Sequence, residues 1–337
     1  MGIGTVALVA RAAPTYRSVT RILGVESMKY AFVFPGQGSQ SVGMMQGLES
    51  LPGVRETFGE ASRILEQDLW QLVTVGPAEE LNLTANTQPV MLAAGVAVFR
   101  AWNALGGAKP ALLAGHSLGE YTALVASGAL AFEDALPLVR FRAKAMQEAV
   151  AEGVGGMAAV LGLDDDAVRA VCAEAWQGEV LEAVNFNSPG QVVIAGHKSA
   201  VERGMELARA KGAKRALMLP VSVPSHCSLM RPAADALAKY LDSVPLKSPE
   251  VPVVHNADVK SHESEAAVKD ALVRQLFSPV RWVETIRDFA RHGVTHLVEC
   301  GPGKVLAGLN KRIEPEMQVV ALTDAATVAS AIDSVKQ

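Results

Sequence analysis

The sequence predicts an α/β fold, in which a parallel sheet is covered by helices on both faces and carries a smaller inserted domain. Two observations lead to this prediction. Short apolar runs that end in glycine or proline alternate with stretches of helical periodicity along the first half of the chain, and a different order of elements begins after a glycine-rich break at residues 152–156. Strands that alternate with helices form parallel sheets whose two faces are buried.

The first half of the chain supplies elements of the parallel sheet. Residues 30–34 form an apolar run that ends at Pro35-Gly36, and residues 110–114 form a second run that ends at Gly115. Both runs predict buried strands that lead into turns. Apolar residues at helical spacing predict helices over residues 57–72, 90–105, 118–126 and 132–150.

The chain beyond the break predicts a small domain of its own. Its predicted order is strand 157–161, helix 164–176, strands 180–186 and 191–195, helix 198–211 and strand 215–219. This β-α-β-β-α-β order is the split βαβ arrangement of ferredoxin-like modules. We therefore expect a ferredoxin-like domain at residues 150–219, inserted into an α/β core formed by residues 28–149 and 220–337.

The segment before the first strand has a different character. Residues 1–27 contain three arginines and no acidic residue before Glu26, a composition with some likeness to a transit peptide. The pair Met28-Lys29 directly precedes the first strand, which favours a start site at Met28 and makes residues 1–27 the product of an upstream start. We expect residues 1–27 to be an N-terminal extension, either disordered or produced by an upstream start.

The composition excludes several classes of protein. With 337 residues, 50% hydrophobic and 20% charged, the chain can bury a large core and is not intrinsically disordered. A net charge of −4 without a basic stripe argues against nucleic-acid binding. Its three cysteines form no CxxC pair, and no apolar run reaches the roughly 18 residues of a membrane helix. We expect a cytoplasmic protein that binds neither nucleic acid nor a membrane.

Residues 115–119 (GHSLG) fit the G-x-S-x-G pattern between a predicted strand and a predicted helix. In that context the pattern indicates a nucleophile elbow, a tight turn that exposes the serine and leaves the next backbone N–H free to donate to an oxyanion. Ser117 is therefore the candidate nucleophile, and a serine hydroxyl needs a neighbouring general base.

Seven histidines compete for the role of the base. His116 is adjacent to the serine, but its side chain leaves the turn in another direction. His292 and His296 have i,i+4 spacing, yet Gly293 argues against one continuous helix, so a metal pair is not expected there. His226 lies at a predicted strand-to-helix junction, where side chains point into the crevice of an α/β fold, and is the leading candidate.

Two further residues suit substrate binding. Arg142 shares one helix face with apolar residues, and a buried guanidinium needs an anion. The spacing alone favours an Asp or Glu of the same chain, and the alternative is a bidentate clamp for a substrate carboxylate. Gln37 lies between glycines in the loop after the first strand and could donate its N–H to an oxyanion, although the pattern alone predicts only a turn. Ser41 replaces the third glycine of a dinucleotide fingerprint, and no P-loop lysine follows.

Several stretches together resemble the malonyl-CoA:acyl carrier protein transacylase family of bacterial fatty acid synthesis. They occur in family order along most of the chain after Met28. The matching stretches are residues 32–40 (FVFPGQGSQ), 115–121 (GHSLGEY), 184–191 (VNFNSPGQ), 220–227 (PVSVPSHC), 273–276 (VRQL) and 301–304 (GPGK). The resemblance implies an α/β-hydrolase-like core with a ferredoxin-like insertion. Residues 255–258 (HNAD) vary around a family stretch without losing Asn256 or Asp258, and this departure is not expected to affect the chemistry.

The resemblance also implies a set of catalytic roles. Ser117 would take the malonyl group from coenzyme A as an ester, with His226 as the general base and later the general acid. The main-chain carbonyl of Gln275 would orient the imidazole. The backbone N–H groups of Gln37 and Leu118 would form the oxyanion hole.

The family's substrates explain the buried arginine and define the partners. Arg142 would bind the free carboxylate of the malonyl group, which reverses the preference for an internal partner. The implied partners are malonyl-CoA and an acyl carrier protein, with malonyl favoured over methylmalonyl, no metal or cofactor, and a monomeric enzyme. Candidate docking residues for the acidic carrier protein are Lys211, Lys214, Arg215, Lys311 and Arg312, for which ordinary solvated surface charge is the alternative.

Three other functions remain open at this point. An acyltransferase of polyketide loading or of malonate decarboxylase assembly would use Arg142 equally well. A hydrolase would share the elbow but needs an Asp or Glu partner for its histidine; residues 164–166 (DDD) precede His226, yet they lie in the inserted domain and are expected to cap its helix. A non-catalytic carrier-protein-binding module is disfavoured because a nucleophile and a base are both present.

Overall fold

A computed structural model of the chain describes residues 29–221 and 223–335. The expectation for residues 1–27 lies outside these described residues. The strands are β1 Tyr30–Phe34, β2 Leu112–Gly115, β3 Gly155–Leu161, β4 Leu181–Ser188, β5 Gln191–His197, β6 Arg215–Met218, β7 Val253–Val254, β8 His296–Glu299 and β9 Gln318–Ala321. The helices are α1 Val54–Leu65, α2 Leu69–Thr74, α3 Ala78–Leu81, α4 Thr84–Ala104, α5 Gly119–Ala126, α6 Phe132–Glu148, α7 Asp165–Ala175, α8 Lys198–Ala210, α9 Arg231–Leu241, α10 Glu265–Gln275, α11 Trp282–Arg291, α12 Val305–Ile313 and α13 Ala325–Val335.

Five strands form a parallel sheet in the order β7-β2-β1-β8-β9. Alternate residues of β1 enter two different hydrophobic clusters, with Phe32 and Phe34 in one and Ala31 and Val33 in the other. Both faces of this strand are therefore buried, which is why its sequence is a continuous apolar run. The prediction of a parallel sheet covered on both faces is confirmed.

Residues 155–218 form a separate, four-stranded antiparallel sheet in the order β4-β5-β3-β6. Its helices α7 and α8 bury their apolar faces with the strands in a hydrophobic cluster of their own. Val280 joins this sheet to the rest of the protein: its carbonyl accepts from Phe186 N at 3.0 Å, and its N–H donates to Val184 O at 2.8 Å. These two backbone hydrogen bonds attach β4 to the segment that precedes α11.

The largest difference from the predicted elements is in the stretch expected as a single helix over residues 57–72. The chain instead leaves α1 at Glu66, which adopts a left-handed φ of 52°, and begins α2 after Asp68. The Asp68 carboxylate accepts from Gln71 N at 2.9 Å and caps the new helix. The glycine-rich break is also shorter than expected, because Gly155 and Gly156 already belong to β3. No helix among the described residues is both long enough and apolar enough to span a membrane.

Candidate active site

Ser117 lies in a strained turn between β2 and α5, as the G-x-S-x-G pattern predicts. Its φ of 51° is in the left-handed region that side chains other than glycine usually avoid. Close backbone packing explains the two glycines of the motif. A Cβ on Gly115 would lie 1.9 Å from the carbonyl carbon of Gly119, and a Cβ on Gly119 would lie 2.1 Å from the carbonyl oxygen of Phe34. The turn is thus pressed against the end of β1.

The serine hydroxyl is paired with His226. Ser117 Oγ lies 2.8 Å from His226 Nε2, and His226 Nδ1 lies 2.8 Å from the main-chain oxygen of Gln275. A carbonyl can only accept, so Nδ1 carries the proton and Nε2 is free to accept from the hydroxyl. Burial and, secondly, the charge of Arg142 lower the pKa of His226 to about 3. The imidazole is therefore neutral at physiological pH, the state that a general base requires.

Arg142 reaches the same serine from α6. The guanidinium is almost fully buried, and it donates from Nη1 to Gln88 Oε1 at 2.9 Å and from Nη2 to Gln275 Oε1 at 2.9 Å. Nη2 also lies 3.3 Å from Ser117 Oγ. The internal Asp or Glu partner favoured by spacing is wrong: within the part of the chain that the structure describes, the hydrogen-bond partners of Arg142 are all uncharged. A positive charge with neutral partners, next to the nucleophile, suits an anionic substrate.

The cleft above the serine has a volume of about 120 Å³, and its lining includes Met157 of β3 and Asn185 of β4 beside the elbow residues 116–118. Gln37 and Leu118, the expected oxyanion donors, both lie on its wall. Gly36 brings their loops together, because a Cβ on this glycine would lie 2.4 Å from His116 O and 3.6 Å from Leu118 N. Two backbone N–H groups near the nucleophile are the usual construction of an oxyanion hole.

The other histidines considered from the sequence do not contact Ser117 Oγ. His116 turns away from the hydroxyl and bonds to Asn187 Oδ1 at 2.8 Å. His292 follows α11 and His296 begins β8, so the two do not share a helix. Among the residues described here, no group of three His, Cys, Asp or Glu side chains is placed to hold a metal ion.

The carboxylates considered for a hydrolase triad lie elsewhere. Asp164 caps α7 by accepting from Ala167 N at 2.8 Å, as expected. The group that contacts His226 Nδ1 is a neutral carbonyl. Of the candidate docking residues, Lys211 forms an ion pair with Glu174 at 2.6 Å, and the other four are exposed.

One residue beside the nucleophile was missed. Asn256 Oδ1 accepts from Ser117 N at 2.8 Å, and its Nδ2 donates to Gly115 O at 2.7 Å. In the sequence Asn256 belongs to a family stretch, but no contact with the nucleophile is predicted for it. The position of residues 255–258 could have indicated this contact, because they directly follow the short apolar run of β7, and residues at the carboxyl ends of parallel strands meet at one edge of the sheet.

Comparison with known proteins gives the same family along most of the chain. The family model for the acyl transferase domain matches residues 31–327. A malonyl CoA-acyl carrier protein transacylase of Salmonella typhimurium is 57% identical over 305 residues, which are 90% of this chain and 99% of the relative. The protein of the same name from Bacillus subtilis is 45% identical over 92% of this chain and 98% of its own length.

Solved structures agree with the sequence relatives. An acyl-carrier-protein S-malonyltransferase of Burkholderia pseudomallei superposes with a TM-score of 0.90 at 62% identity, over 91% of this chain and all of that one. A malonyl-transacylase solved in complex with a type II PKS acyl-carrier protein gives a TM-score of 0.90 at 53% identity, over 91% of this chain and 99% of that one.

Proposed function

The chain belongs to the acyl transferase domain family, and we propose that it transfers the malonyl group of malonyl-CoA to the phosphopantetheine thiol of an acyl carrier protein, supplying fatty acid synthesis. The observation that carries this proposal is the position of the buried Arg142, whose hydrogen-bond partners are uncharged. Its Nη2 lies 3.3 Å from Ser117 Oγ, and the same Oγ is hydrogen-bonded to His226 Nε2. A nucleophile beside a guanidinium with uncharged partners suits an acyl group with a free acid at its far end.

The first half-reaction forms a malonyl-serine ester. Ser117 Oγ attacks the thioester carbon while His226 Nε2 takes the hydroxyl proton, and the carbonyl oxygen becomes an oxyanion that the N–H groups of Gln37 and Leu118 stabilise. Donors of this kind are worth about 3–4 kcal/mol each in acyl transfer. The carbon–sulfur bond then breaks, and the imidazolium returns the proton to the leaving thiolate. Coenzyme A leaves as the thiol.

The second half-reaction is the reverse of the first with a new thiol. His226 takes the proton of the carrier protein's phosphopantetheine thiol, the thiolate attacks the ester carbon of the malonyl-serine, and the proton passes to Ser117 Oγ as the ester breaks. One thioester replaces another, so the reaction balances with no metal, redox cofactor or external energy source. A covalent intermediate between two substrates predicts ping-pong kinetics.

Selectivity for a diacid follows from the charge of Arg142. A malonyl carboxylate would replace the neutral amide oxygens of Gln88 and Gln275 as its partner, adding a full opposite charge and the paired geometry of a carboxylate on a guanidinium. An acetyl group would leave the guanidinium buried without an anion, a state that costs free energy. The cleft volume of about 120 Å³ suits a short acyl chain, and we favour malonyl over methylmalonyl.

We interpret the parallel-sheet part, residues 28–149 and 220–337, as an α/β-hydrolase-like core, and residues 150–219 as an inserted ferredoxin-like domain, because the elements from β3 to β6 follow the β-α-β-β-α-β order. We also propose a cytoplasmic monomer whose exposed Lys311 and Arg312, at the end of α12, are candidates for docking the carrier protein.

Intact-protein mass spectrometry after brief mixing with malonyl-CoA tests the proposed function. We expect one malonyl adduct on the wild type, no adduct on Ser117→Ala, and transfer of the adduct to a phosphopantetheinylated acyl carrier protein on its addition. An enzyme that stays unmodified while free malonate accumulates would instead be a hydrolase, and the proposal would be withdrawn.

A further inference from the structure

We propose that Asn256 is a positioning residue for the nucleophile, whose side-chain amide holds the Ser117 turn in the conformation that aims Oγ at His226. The inference deepens the proposed function, since it concerns the same serine. Asn256 is buried and follows β7, the strand that neighbours β2 in the parallel sheet.

The side chain of Asn256 spans both ends of the turn. Its oxygen accepts from Ser117 N at 2.8 Å, and its nitrogen donates to Gly115 O at 2.7 Å, so one planar amide fixes the separation of the two peptide groups. Between them the chain must reverse, which it does through the left-handed φ of 51° at Ser117. That conformation is unfavourable for serine and persists only where the surroundings hold it.

The opposite side of the serine backbone is held as well. Gln275 Nε2 donates to Ser117 O at 3.0 Å. The side-chain amides of Asn256 and Gln275 therefore bind the N–H and the carbonyl of Ser117, respectively. With its backbone fixed from two directions, Ser117 keeps only the rotation of its side chain, and the hydrogen bond to His226 sets that rotation. Without the hydrogen bonds of Asn256, we expect the turn to relax and Ser117 Oγ to move away from His226 Nε2.

A buried carboxylate fixes Asn256 in turn. Glu120 lies near the start of α5, the helix that begins just after the elbow, and its side chain is fully buried. Its Oε2 accepts from Asn256 N at 2.8 Å, and its Oε1 lies 2.7 Å from His255 Nδ1. Asn256 therefore contacts both Glu120 in α5 and the Ser117 turn that precedes this helix. These contacts attach the end of β7 to the nucleophile turn and to the first turn of α5.

The test measures acylation by rapid mixing and intact mass, which separates the rate constant from the fraction of protein that reacts. We expect Asn256→Ala to lower the acylation rate constant at saturating malonyl-CoA by about 10- to 100-fold, because small displacements of reacting groups cost rates of this order. The half-saturating concentration should stay within about twofold.

The matched control is Thr57→Ala, which removes a buried hydroxyl of α1 that donates to Gly53 O and accepts from Arg100 Nη1. It should leave the rate constant unchanged. If Asn256→Ala does not fold, Asn256→Ser replaces it. The serine side chain is too short to span the turn, so the same 10- to 100-fold decrease of the acylation rate constant is expected. A merely structural role would reduce the amplitude of acylation and leave the rate constant of the folded fraction at the wild-type value, which would overturn the proposal.

A fluorophosphonate probe separates this inference from the proposed function. Ser117 Oγ displaces fluoride from phosphorus and the proton passes to His226, with no acyl donor involved. A wild type that reacts with the probe and takes no malonyl group would contradict the proposed function alone. Equal probe rates for the wild type and Asn256→Ala would refute the positioning role, and a 10- to 100-fold slower variant would support it.

Discussion

Replacing Arg142 by alanine should convert an enzyme selective for malonyl-CoA into one with little preference between acyl donors. The guanidinium donates to two neutral amide oxygens, Gln88 Oε1 and Gln275 Oε1, each at 2.9 Å. On the proposed mechanism the substrate carboxylate takes over these donors. The variant removes both donors and also removes a buried charge that an acetyl group cannot compensate.

The magnitude follows from the number of hydrogen bonds lost. Two hydrogen bonds to a charged group at about 1.5–3 kcal/mol each amount to about 3–6 kcal/mol. Since about 1.4 kcal/mol corresponds to a factor of ten, kcat/KM for malonyl-CoA should fall by about 10²- to 10⁴-fold. For acetyl-CoA it should stay within about threefold of the wild type or rise. Arg142→Lys keeps the charge but loses the paired geometry, so it should give an intermediate value for malonyl-CoA.

The assay compares acylation by malonyl-CoA and acetyl-CoA in the same preparation, with Arg140→Ala as the control. Arg140 is two residues away on α6 and bonds to Leu65 O and Gln67, so it lies on a different face of the helix. Its replacement should leave the ratio of the two kcat/KM values unchanged. Equal losses for both acyl donors in Arg142→Ala would mean that the arginine supports the fold of the site, and the carboxylate clamp would be refuted.

Three further outcomes are expected. Gly36→Ala should abolish acylation, because its Cβ would lie 2.4 Å from a backbone oxygen of the elbow, whereas Gly59→Ala, with nothing within 4 Å, should keep full activity; intact mass checks both. Burial lowers the pKa of His226 to about 3, so kcat/KM should show no acid limb near pH 6.5, and an apparent pKa there would contradict the assignment. Burial raises the pKa of Glu299 to about 7, so the folded state binds more protons than the unfolded state above the ordinary value of 4.5. The free energy of unfolding should therefore fall by up to about 3 kcal/mol as the pH rises from about 4.5 to 7, and chemical denaturation of Glu299→Gln should lack this decrease.

The sequence predicts the elements of the fold better than their ends. Apolar runs locate β1 and β2, and the order of elements identifies the antiparallel sheet, because burial leaves a period in the sequence that can be counted. The break between α1 and α2 leaves no such period. It depends on a left-handed Glu66 and on a cap formed by Asp68, and acidic residues are just as common on exposed helix faces.

The sequence likewise predicts some residues of the site and misses others. The G-x-S-x-G motif locates Ser117, and the family resemblance suggests its partners, but motifs do not report contacts between distant segments. Asn256 binds a backbone N–H that is 139 residues away in the chain, and a single asparagine after a strand carries no pattern. The same reason explains the wrong expectation for Arg142: its position on an apolar helix face predicts burial, whereas its partners, Gln88 and Gln275, come from two other helices.

The charge of Arg142 also acts on the base, and this links the recognition of the acid to the chemistry. Arg142 Nη2 and His226 Nε2 lie 3.3 Å and 2.8 Å from the shared Ser117 Oγ, so they are at most about 6 Å apart. With an effective dielectric constant of about 20, a unit charge at about 6 Å is worth about 3 kcal/mol, or about 2 in pKa. Burial remains the larger cause of the lowered pKa of His226.

A malonyl carboxylate on Arg142 would cancel most of the arginine's charge and make the imidazole of His226 a stronger base once the diacid is bound, whereas an acetyl group would leave the base weak. The acid limb of the single-turnover acylation rate should therefore lie at higher pH with saturating malonyl-CoA than with saturating acetyl-CoA, and coincident limbs would show that Arg142 acts on binding alone.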